Sequence, residues 1–226
     1  MILTIHALKF YIKNMETIIK LKEISKSFYD EPLFENISFE VQKGDIIGFV
    51  GENGCGKSVL FKMICGLISP DHGEILVRNR VITEGKFPDS IGIMLDGCGF
   101  IPYESGFENL RQIAAIDQKI GSQEIAEAMA QVNLNYKSKK PVKKYSLGMK
   151  QRLGIAMALM ENPTLLLLDE PMNALDHDMV LKVRRLLLQK KESGVTILLT
   201  SHNKEDIDAL CTHVYRFTDC KLDPMY

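Results

Sequence analysis

The feature that most restricts the fold of this chain is a glycine-rich loop set between an apolar run and a helix-like stretch. The run Ile46–Val50 is continuous, as expected of a buried strand. The loop Gly51–Ser58 reads GENGCGKS, and Val59–Ile64 supplies the apolar residues of a short helix. A strand, a tight loop and a helix that follow one another directly are typical of an α/β fold.

The loop matches the pattern G-x-x-x-x-G-K-[ST], which binds phosphate groups. Its glycines Gly51, Gly54 and Gly56 let backbone N–H groups converge on phosphate oxygens, and the following helix directs its positive end at the same anion. We predict that Lys57 reaches the β- and γ-phosphates and that Ser58 offers its hydroxyl to Mg²⁺. The other residues of this segment expected to contact the nucleotide are Asn53, Cys55 and Val59.

Two further apolar runs end in side chains that suit phosphate chemistry. Leu165–Leu168 is followed directly by Asp169 and Glu170, and Val195–Leu199 is followed closely by His202. Ligands of open α/β sheets bind at the carboxyl ends of the strands. Asp169 is therefore predicted to hold Mg²⁺ through water, Glu170 to orient or deprotonate the attacking water, and His202 to polarise the γ-phosphate. Taken alone, the two carboxylates fit an ordinary strand cap equally well.

The pattern of apolar runs predicts the architecture. The runs above and Ile91–Leu95 are continuous, as in parallel strands covered on both faces. Ile18–Ile24 and Ile37–Val41 alternate instead, which predicts half-buried antiparallel strands. Between about 97 and 160 no strand-like run interrupts three helical stretches. We therefore predict an α/β fold with a mainly parallel central sheet, an N-terminal antiparallel β subdomain and an inserted helical subdomain at about 97–160.

Composition and charge limit the surroundings in which the chain works. Lys and Arg total 28 against 29 Asp and Glu, and a net charge of −1 does not favour nucleic acid as a partner. No apolar run approaches the ~20 residues that span a bilayer, so work at a membrane needs another polypeptide. The five cysteines are scattered and form no Cys-x-x-Cys pair, which favours a reducing cytosol over a disulfide framework or a zinc site.

The first residues differ from the rest of the chain. Residues 1–15 are mildly apolar but have no clean apolar core and no small-residue cleavage site, which argues against a signal peptide. We interpret them as a leader or a mis-set start, with Met15 as the natural initiator. Residues 16–226 are predicted to form a single domain.

A further motif places the chain beside a known family. Tyr145–Arg152 reads YSLGMKQR and stands shortly before Asp169. With Lys57, Glu170 and His202 in this order, it resembles the signature of ABC transporter ATP-binding subunits, usually L-S-G-G-Q. The form found here is similar to that of the subgroup exporting peptide antibiotics such as bacitracin and lantibiotics. The resemblance covers about residues 16–222 and implies a P-loop NTPase that binds ATP and Mg²⁺.

The resemblance implies that a second subunit completes the ATP site. Ser146 would cap a helix whose positive end faces the γ-phosphate held by the partner, and Gly148 keeps its place in the motif. Phe28 corresponds to the aromatic residue that stacks on adenine, with Tyr29 as the alternative. Asp176 lies in a stretch similar to the D-loop, which communicates across the dimer.

The clearest departure from the family is Asp96. The family usually has Gln at this point, directly after the run Ile91–Leu95. An aspartate there could still bind Mg²⁺ or its water, but it is shorter and charged. The loop that follows, Gly97–Phe107, would lie at the interface with the membrane subunit.

The function implied by the resemblance is that of an ATPase subunit on the inner face of the cell membrane. It would dimerise around ATP with an identical or a different ATPase subunit and drive a separate permease. Export of a peptide antibiotic, a drug or a lipid-like molecule fits the signature variant better than import. Two alternatives stay open: a soluble, non-transport ABC ATPase of the iron–sulfur assembly type, and a regulatory module that binds ATP but barely hydrolyses it.

Overall fold

The computed structural model describes residues 16–95 and 99–225. The predictions for residues 1–15 therefore lie outside the described residues. Ten strands and six α-helices are described, and a 3₁₀ turn at Val142–Lys144 joins two of the helices. In chain order they are β1 (Thr17–Phe28), β2 (Glu31–Gln42), β3 (Ile46–Val50), α1 (Lys57–Ile64), β4 (His72–Val77), β5 (Arg80–Val81), β6 (Ile91–Met94), α2 (Gly106–Asp117), α3 (Ser122–Gln131), α4 (Leu147–Leu159), β7 (Leu165–Leu168), α5 (His177–Glu192), β8 (Thr196–Thr200), α6 (Lys204–Leu210), β9 (His213–Thr218) and β10 (Lys221–Pro224).

The central sheet has six strands in the order β10-β9-β3-β8-β7-β6. All neighbours pair in parallel except β10 and β9, which pair antiparallel. Strand β8 therefore lies between β7 and β3, the strand that precedes the phosphate loop. The prediction of a mainly parallel central sheet is confirmed.

A second, smaller sheet contains the N-terminal strands. Its order is β2-β1-β4-β5, and every pair is antiparallel. The alternating pattern predicted both long strands: Ile19, Leu21 and Ile24 on β1 point into the core, as do Ile37 and Val41 on β2. The predicted antiparallel β subdomain is confirmed, while β4 and β5 were not predicted.

The inner part of the central sheet is covered on both faces, which explains why a strand such as β7 carries an unbroken apolar run. On β7, Leu165 and Leu167 pack with α1 and the small sheet, whereas Leu166 and Leu168 pack against the helices of the opposite face. All four leucines are fully buried. In a strand with two buried faces, apolar side chains are favoured at every position that offers no hydrogen-bond partner.

Three helices and the 3₁₀ turn lie between β6 and β7, where an inserted helical subdomain is predicted. Helix α4 packs against β6 and α3, so the insertion is joined to the central sheet by its last helix. Its N-terminal cap is Ser146, whose hydroxyl accepts a hydrogen bond of 3.2 Å from the Met149 amide. The predicted capping role of Ser146 is confirmed.

None of the helices in the described ranges is both long enough and apolar enough to cross a membrane.

Candidate functional site

The strand order brings three polar segments to one edge of the central sheet. Strands β3, β8 and β7 are neighbours and run in parallel, so their carboxyl ends lie side by side. The phosphate loop follows β3, Asp169 and Glu170 follow β7, and His202 follows β8. The phosphate loop is more than a hundred residues away in sequence from the other two segments, but the sheet places all three around one cleft of about 450 Å³. The residues lining this cleft are Asn53, Gly54, Gly56, Lys57, Ser58, Val59, Asp169, Glu170, Asn173 and His202.

The phosphate loop presents a buried ammonium group and the start of a helix. Lys57 begins α1, and its Nζ donates hydrogen bonds of 2.9 Å to the carbonyl oxygens of both Gly51 and Glu52. Gly56 precedes it with a φ of 105°, a left-handed conformation that favours glycine. A Cβ at Gly56 would also approach the buried ring of Phe34 to 2.6 Å. The loop conformation therefore depends on a glycine at this position and on packing against β2.

A pair of oxygen ligands lies at the floor of the cleft. The Ser58 hydroxyl donates to Oδ2 of Asp169 at 2.5 Å, and the Thr200 hydroxyl donates to Oδ1 of the same carboxylate at 2.7 Å. Asp169 is almost fully buried, so these two bonds offset the cost of burying its charge. A serine hydroxyl beside a carboxylate is a donor set that fits Mg²⁺, which usually takes its remaining ligands from water and phosphate.

Glu170 and His202 face each other across the mouth of the cleft. Glu170 Oε1 lies 3.1 Å from His202 Nε2, and Glu170 Oε2 accepts a long bond of 3.4 Å from the His202 amide. Oε1 itself is buried and receives no well-aligned hydrogen bond, so it retains the capacity to accept one. Burial raises the pKa of the Glu170 carboxyl above its ordinary 4.5, and the neighbouring His202 and Lys57 only partly oppose this.

Two residues for which the sequence predicted no role hold the backbone of Glu170. Thr200 Oγ accepts a bond of 2.8 Å from the Glu170 amide, and the Gln151 side-chain amide donates a bond of 2.6 Å to the Glu170 carbonyl. Glu170 itself has a φ of 49°, which is uncommon for a residue other than glycine. The only signals in the sequence were the position of Thr200 at the end of a strand and that of Gln151 inside the signature motif.

Comparison with known proteins assigns the family. The ABC transporter family model matches residues 34–173, which is more than half of the chain. The chain belongs to the ABC transporter family. It is one of the ATP-binding subunits, and these are ATPases.

Several curated family members are similar to this ATP-binding subunit over most of its length. An uncharacterized ABC transporter ATP-binding protein of Bacillus subtilis, YybJ, is 38% identical over 195 residues, covering 86% of this chain and 89% of that protein. The bacitracin transport ATP-binding protein BcrA of Bacillus licheniformis is 38% identical over 206 residues, covering 88% of this chain and 66% of that protein. The lantibiotic transport ATP-binding protein SrtF of Streptococcus pyogenes is 30% identical, covering 87% and 85% respectively.

Solved structures show the same fold. The dimeric cassette MJ0796 bound to ADP and Pi superposes with a TM-score of 0.81 at 22% identity, over 91% of this chain and 96% of that chain. An ATP-binding subunit of an ABC transporter superposes with a TM-score of 0.82 at 23% identity, over 91% and 88%. At these identities the likeness establishes the P-loop NTPase fold of ABC cassettes, which is the predicted fold class.

The signature residues do not line the cleft of their own subunit. Ser146 caps α4 at an exposed position, and Gly148 lies in the first turn of that helix. A Cβ on Gly148 would approach the carbonyl oxygen of Ala174 to 2.6 Å, so this glycine lets α4 pack closely on the loop after β7. That close packing is a structural reason for glycine here, beside the predicted nucleotide contact.

The remaining predicted site residues also lie away from the lined cleft. Asp176 caps α5, and its carboxylate accepts a bond of 2.9 Å from the Met179 amide. Phe28 ends β1 with its ring half exposed beneath the Lys26 ammonium, 5.3 Å from the ring centroid. The nucleotide-contact roles of these residues stay predictions. Asp96 lies outside the described residues, and its predicted role is likewise untested.

Proposed function

We propose that this subunit binds ATP and Mg²⁺ at the carboxyl edge of its central sheet and hydrolyses the nucleotide with Glu170 as the base. The observation that carries the proposal is the meeting of Lys57, Ser58, Asp169, Glu170 and His202 around one cleft. Each of these side chains matches one need of phosphoryl transfer: charge neutralisation, metal ligation, activation of water and polarisation of the phosphate.

The floor of the cleft holds the triphosphate. In this proposal Lys57 leaves its loop carbonyls to contact the β- and γ-phosphate oxygens, while the first amides of α1 point at the same group. Ser58 and Asp169 hold Mg²⁺, which neutralises charge on the phosphates when it is bound. The Thr200 bond keeps the Asp169 carboxylate oriented toward Ser58.

The mouth of the cleft activates water. Glu170 has one buried oxygen with spare accepting capacity, and a raised pKa makes its carboxylate a stronger base than an exposed glutamate. His202 lies within contact distance of the same oxygen and is half exposed toward the cleft. It therefore can hold the water or donate to the γ-phosphate as that group gains negative charge.

A second cassette is needed to complete the site in this proposal. Ser146 begins an exposed helix N-terminus and, among the described residues, does not belong to those lining the cleft of its own subunit. An exposed positive helix end is suited to an anion brought by a partner. We therefore propose a dimer in which Ser146 of each subunit faces the γ-phosphate held by the other, with Phe28 stacked on adenine and Asp176 near the dimer interface.

The dimer is proposed to drive a separate permease that exports a peptide antibiotic. Support for this cargo comes from the names and identities of the bacitracin and lantibiotic relatives. A drug or a lipid-like molecule is the alternative cargo. The subunit would then sit on the cytoplasmic face of the membrane, held there by the permease through the loop Gly97–Phe107.

The catalytic assignment is tested by Glu170→Gln. We expect the variant to retain Mg-dependent ATP binding and to lose ATP hydrolysis by at least about a hundredfold, since the base is removed while its shape is kept. Glu192→Gln at the exposed end of α5 removes the same charge and is the matched control. Turnover in Glu170→Gln equal to that of the control would refute Glu170 as the base, whereas negligible hydrolysis by the wild type itself would favour a regulatory module.

The transporter assignment is tested in the membrane. The tagged subunit is purified from detergent-solubilised membranes of its own cell, and a stoichiometric, very apolar polypeptide is expected to accompany it. Deleting the gene is then expected to sensitise the cell to a peptide antibiotic, with rescue by the wild type and not by Glu170→Gln. A soluble iron–sulfur assembly partner in place of the permease would contradict the proposal.

A further inference from the structure

The segment that contains His202 is short and joins two packed elements. It consists of residues 201–203, between the end of β8 and the start of α6. The His202 side chain is half exposed, and its Nε2 lies 3.1 Å from Glu170 Oε1. Because half of this side chain is in contact with solvent, packing alone does not fix its direction. The groups that hold the backbone of 201–203 therefore decide where the imidazole lies.

A buried serine holds the backbone on both sides of His202. Ser201 is 5% exposed, and its hydroxyl donates a hydrogen bond of 3.0 Å to Oδ2 of Asp206 on α6. The same hydroxyl accepts a bond of 3.1 Å from the Asn203 amide. The residues before and after the histidine are thus tied to one oxygen atom, and that atom is tied to α6.

Asp206 is a buried carboxylate whose charge is compensated from another helix. Its side chain is 2% exposed, and its Oδ1 accepts bonds of 2.7 Å from Nε and 2.6 Å from Nη2 of Arg184 on α5. The Arg184 guanidinium also lies 3.6 Å from the exposed Glu205 carboxylate. Both oxygens of Asp206 are therefore used, one toward α5 and the other toward Ser201. A continuous chain of hydrogen bonds runs from α5 to the segment that contains His202.

The geometry of the Arg184–Asp206 pair explains its presence better than stability does. Replacing a buried ion pair by apolar side chains of similar volume often leaves a fold equally stable. What the pair supplies is a fixed arrangement, because the planar guanidinium binds a carboxylate in a defined orientation. Here that orientation directs the second carboxylate oxygen at Ser201, directly before the histidine.

We propose that Asp206 is a positioning residue for His202, which acts through Ser201 and is itself held by Arg184. The chain of bonds keeps the imidazole opposite Glu170 at the mouth of the cleft. Such a role has a measurable effect, because a misplacement of about 1 Å in a reacting group can lower a rate by about a hundredfold. The inference rests on the proposed function in that His202 is taken to assist ATP hydrolysis.

The test is a double-mutant cycle between Ser201→Ala and His202→Ala. Ser201→Ala removes both bonds of the hydroxyl but leaves the Arg184–Asp206 pair intact. We expect it to lower kcat for ATP hydrolysis about tenfold with little change in KM, since the phosphate loop is untouched. In the His202→Ala background the same change is expected to lower kcat by less than about twofold, because its effect passes through the imidazole. Release of labelled phosphate measures the residual hydrolysis in that background.

A second pair of variants changes Asp206 itself. Asp206→Leu combined with Arg184→Met removes both charges together, so that no buried charge is left unpaired. We expect about the same tenfold loss of kcat as in Ser201→Ala, because Ser201 again has no acceptor on α6. Asp206→Asn combined with Arg184→Met keeps an amide oxygen that can accept the Ser201 bond. This second variant is expected to recover kcat to within about threefold of the wild type.

The matched control lies on the same strand at its opposite end. Thr196 is 1% exposed, and its hydroxyl accepts a bond of 3.0 Å from the Gly44 amide. Thr196→Val removes this buried bond far from the cleft, so we expect kcat to stay within about twofold of the wild type. A tenfold loss in the control would show that any weakened hydrogen bond of β8 lowers kcat, and would overturn the positioning role.

The NMR resonance of the His202 ring gives a readout that does not depend on activity. It is identified by its absence from His202→Ala, and we expect it to shift in Ser201→Ala and to stay in place in Thr196→Val. An unshifted ring resonance in Ser201→Ala, or equal losses of kcat in both backgrounds of the cycle, would overturn the inference. Wild-type hydrolysis by His202→Ala would instead refute the role of His202 in the proposed function, and the ring resonance would still test its positioning by Asp206.

Discussion

Thr200 provides the sharpest test of how the fold holds the reacting groups. Its side chain is fully buried, and its hydroxyl donates a hydrogen bond of 2.7 Å to the Asp169 carboxylate and accepts one of 2.8 Å from the Glu170 amide. Thr200→Val keeps the shape and removes both bonds. Losing a bond to a charged group costs about 1.5–3 kcal/mol and leaving a buried amide unpaired about 1–3, while the added methyl returns about 1. We expect the free energy of unfolding to fall by about 3 kcal/mol.

The measurements are urea unfolding, thermal unfolding and steady-state ATP hydrolysis. For a domain of this size the loss corresponds to a fall in melting temperature of about 6–12 °C. We also expect kcat to fall by about tenfold or more, because Glu170 loses the bond that fixes its amide. Thr200→Ser keeps the hydroxyl and removes one methyl, so its loss of stability is expected to be near 1 kcal/mol. If the valine and serine variants were equally stable and equally active, the reasoning from these two hydrogen bonds would be refuted.

Three further predictions concern the same site. Gln151→Ala removes the bond to the Glu170 carbonyl, so we expect kcat for ATP hydrolysis to fall about tenfold with little change in KM. Gln151→Glu should have the same effect, because a glutamate side chain cannot donate this bond at neutral pH. A changed KM with a normal kcat would contradict this positioning role. Because burial raises the pKa of Glu170, the acid limb of the kcat–pH profile should lie above pH 4.5, with activity rising as pH rises through the folded-state pKa. As the pH rises through the same range, this carboxyl lowers the free energy of unfolding, since the folded state holds its proton more tightly than the unfolded chain does. An acid limb of the kcat–pH profile at or below pH 4.5 would be inconsistent with a raised pKa of Glu170. The Cys55 sulfur lies 3.8 Å from the Lys57 ammonium, so alkylation of Cys55 should abolish ATP hydrolysis, and bound MgATP should protect the thiol from the reagent. The Cys55→Ser variant should keep its activity in the presence of the reagent. Full activity after stoichiometric labelling of Cys55 would refute its placement at the nucleotide site.

Much of the candidate site could be predicted because its parts are local in sequence. The phosphate loop needs glycines, a lysine and a hydroxyl within eight residues, and its neighbours Ile46–Val50 and Val59–Ile64 carry the strand and helix that it joins. The cap at Ser146 is also local, since the bond runs to an amide three residues further on. Patterns of this kind are visible in one sequence because the interacting atoms are separated by only a few bonds of chain.

Other features could not be predicted because their partners are far away in sequence. Strand β4 is short and partly exposed, with His72 and Glu74 among its apolar residues, so its place beside β1 depends on pairing with that strand. Gln151 and Thr200 meet at Glu170 only after α4 and β8 have packed on either side of β7. No short pattern encodes such a meeting.

The sequence by itself determined which chemical groups are available and which local structures carry them: the loop ending in Lys57 and Ser58, the carboxylates after Leu168, and the histidine after β8. Only the tertiary structure decided that β8 lies between β3 and β7, and hence that these groups share one cleft. The physical reason is that local preferences depend on residues one turn or one strand apart, whereas strand order is set by burial of both faces of the central sheet at once.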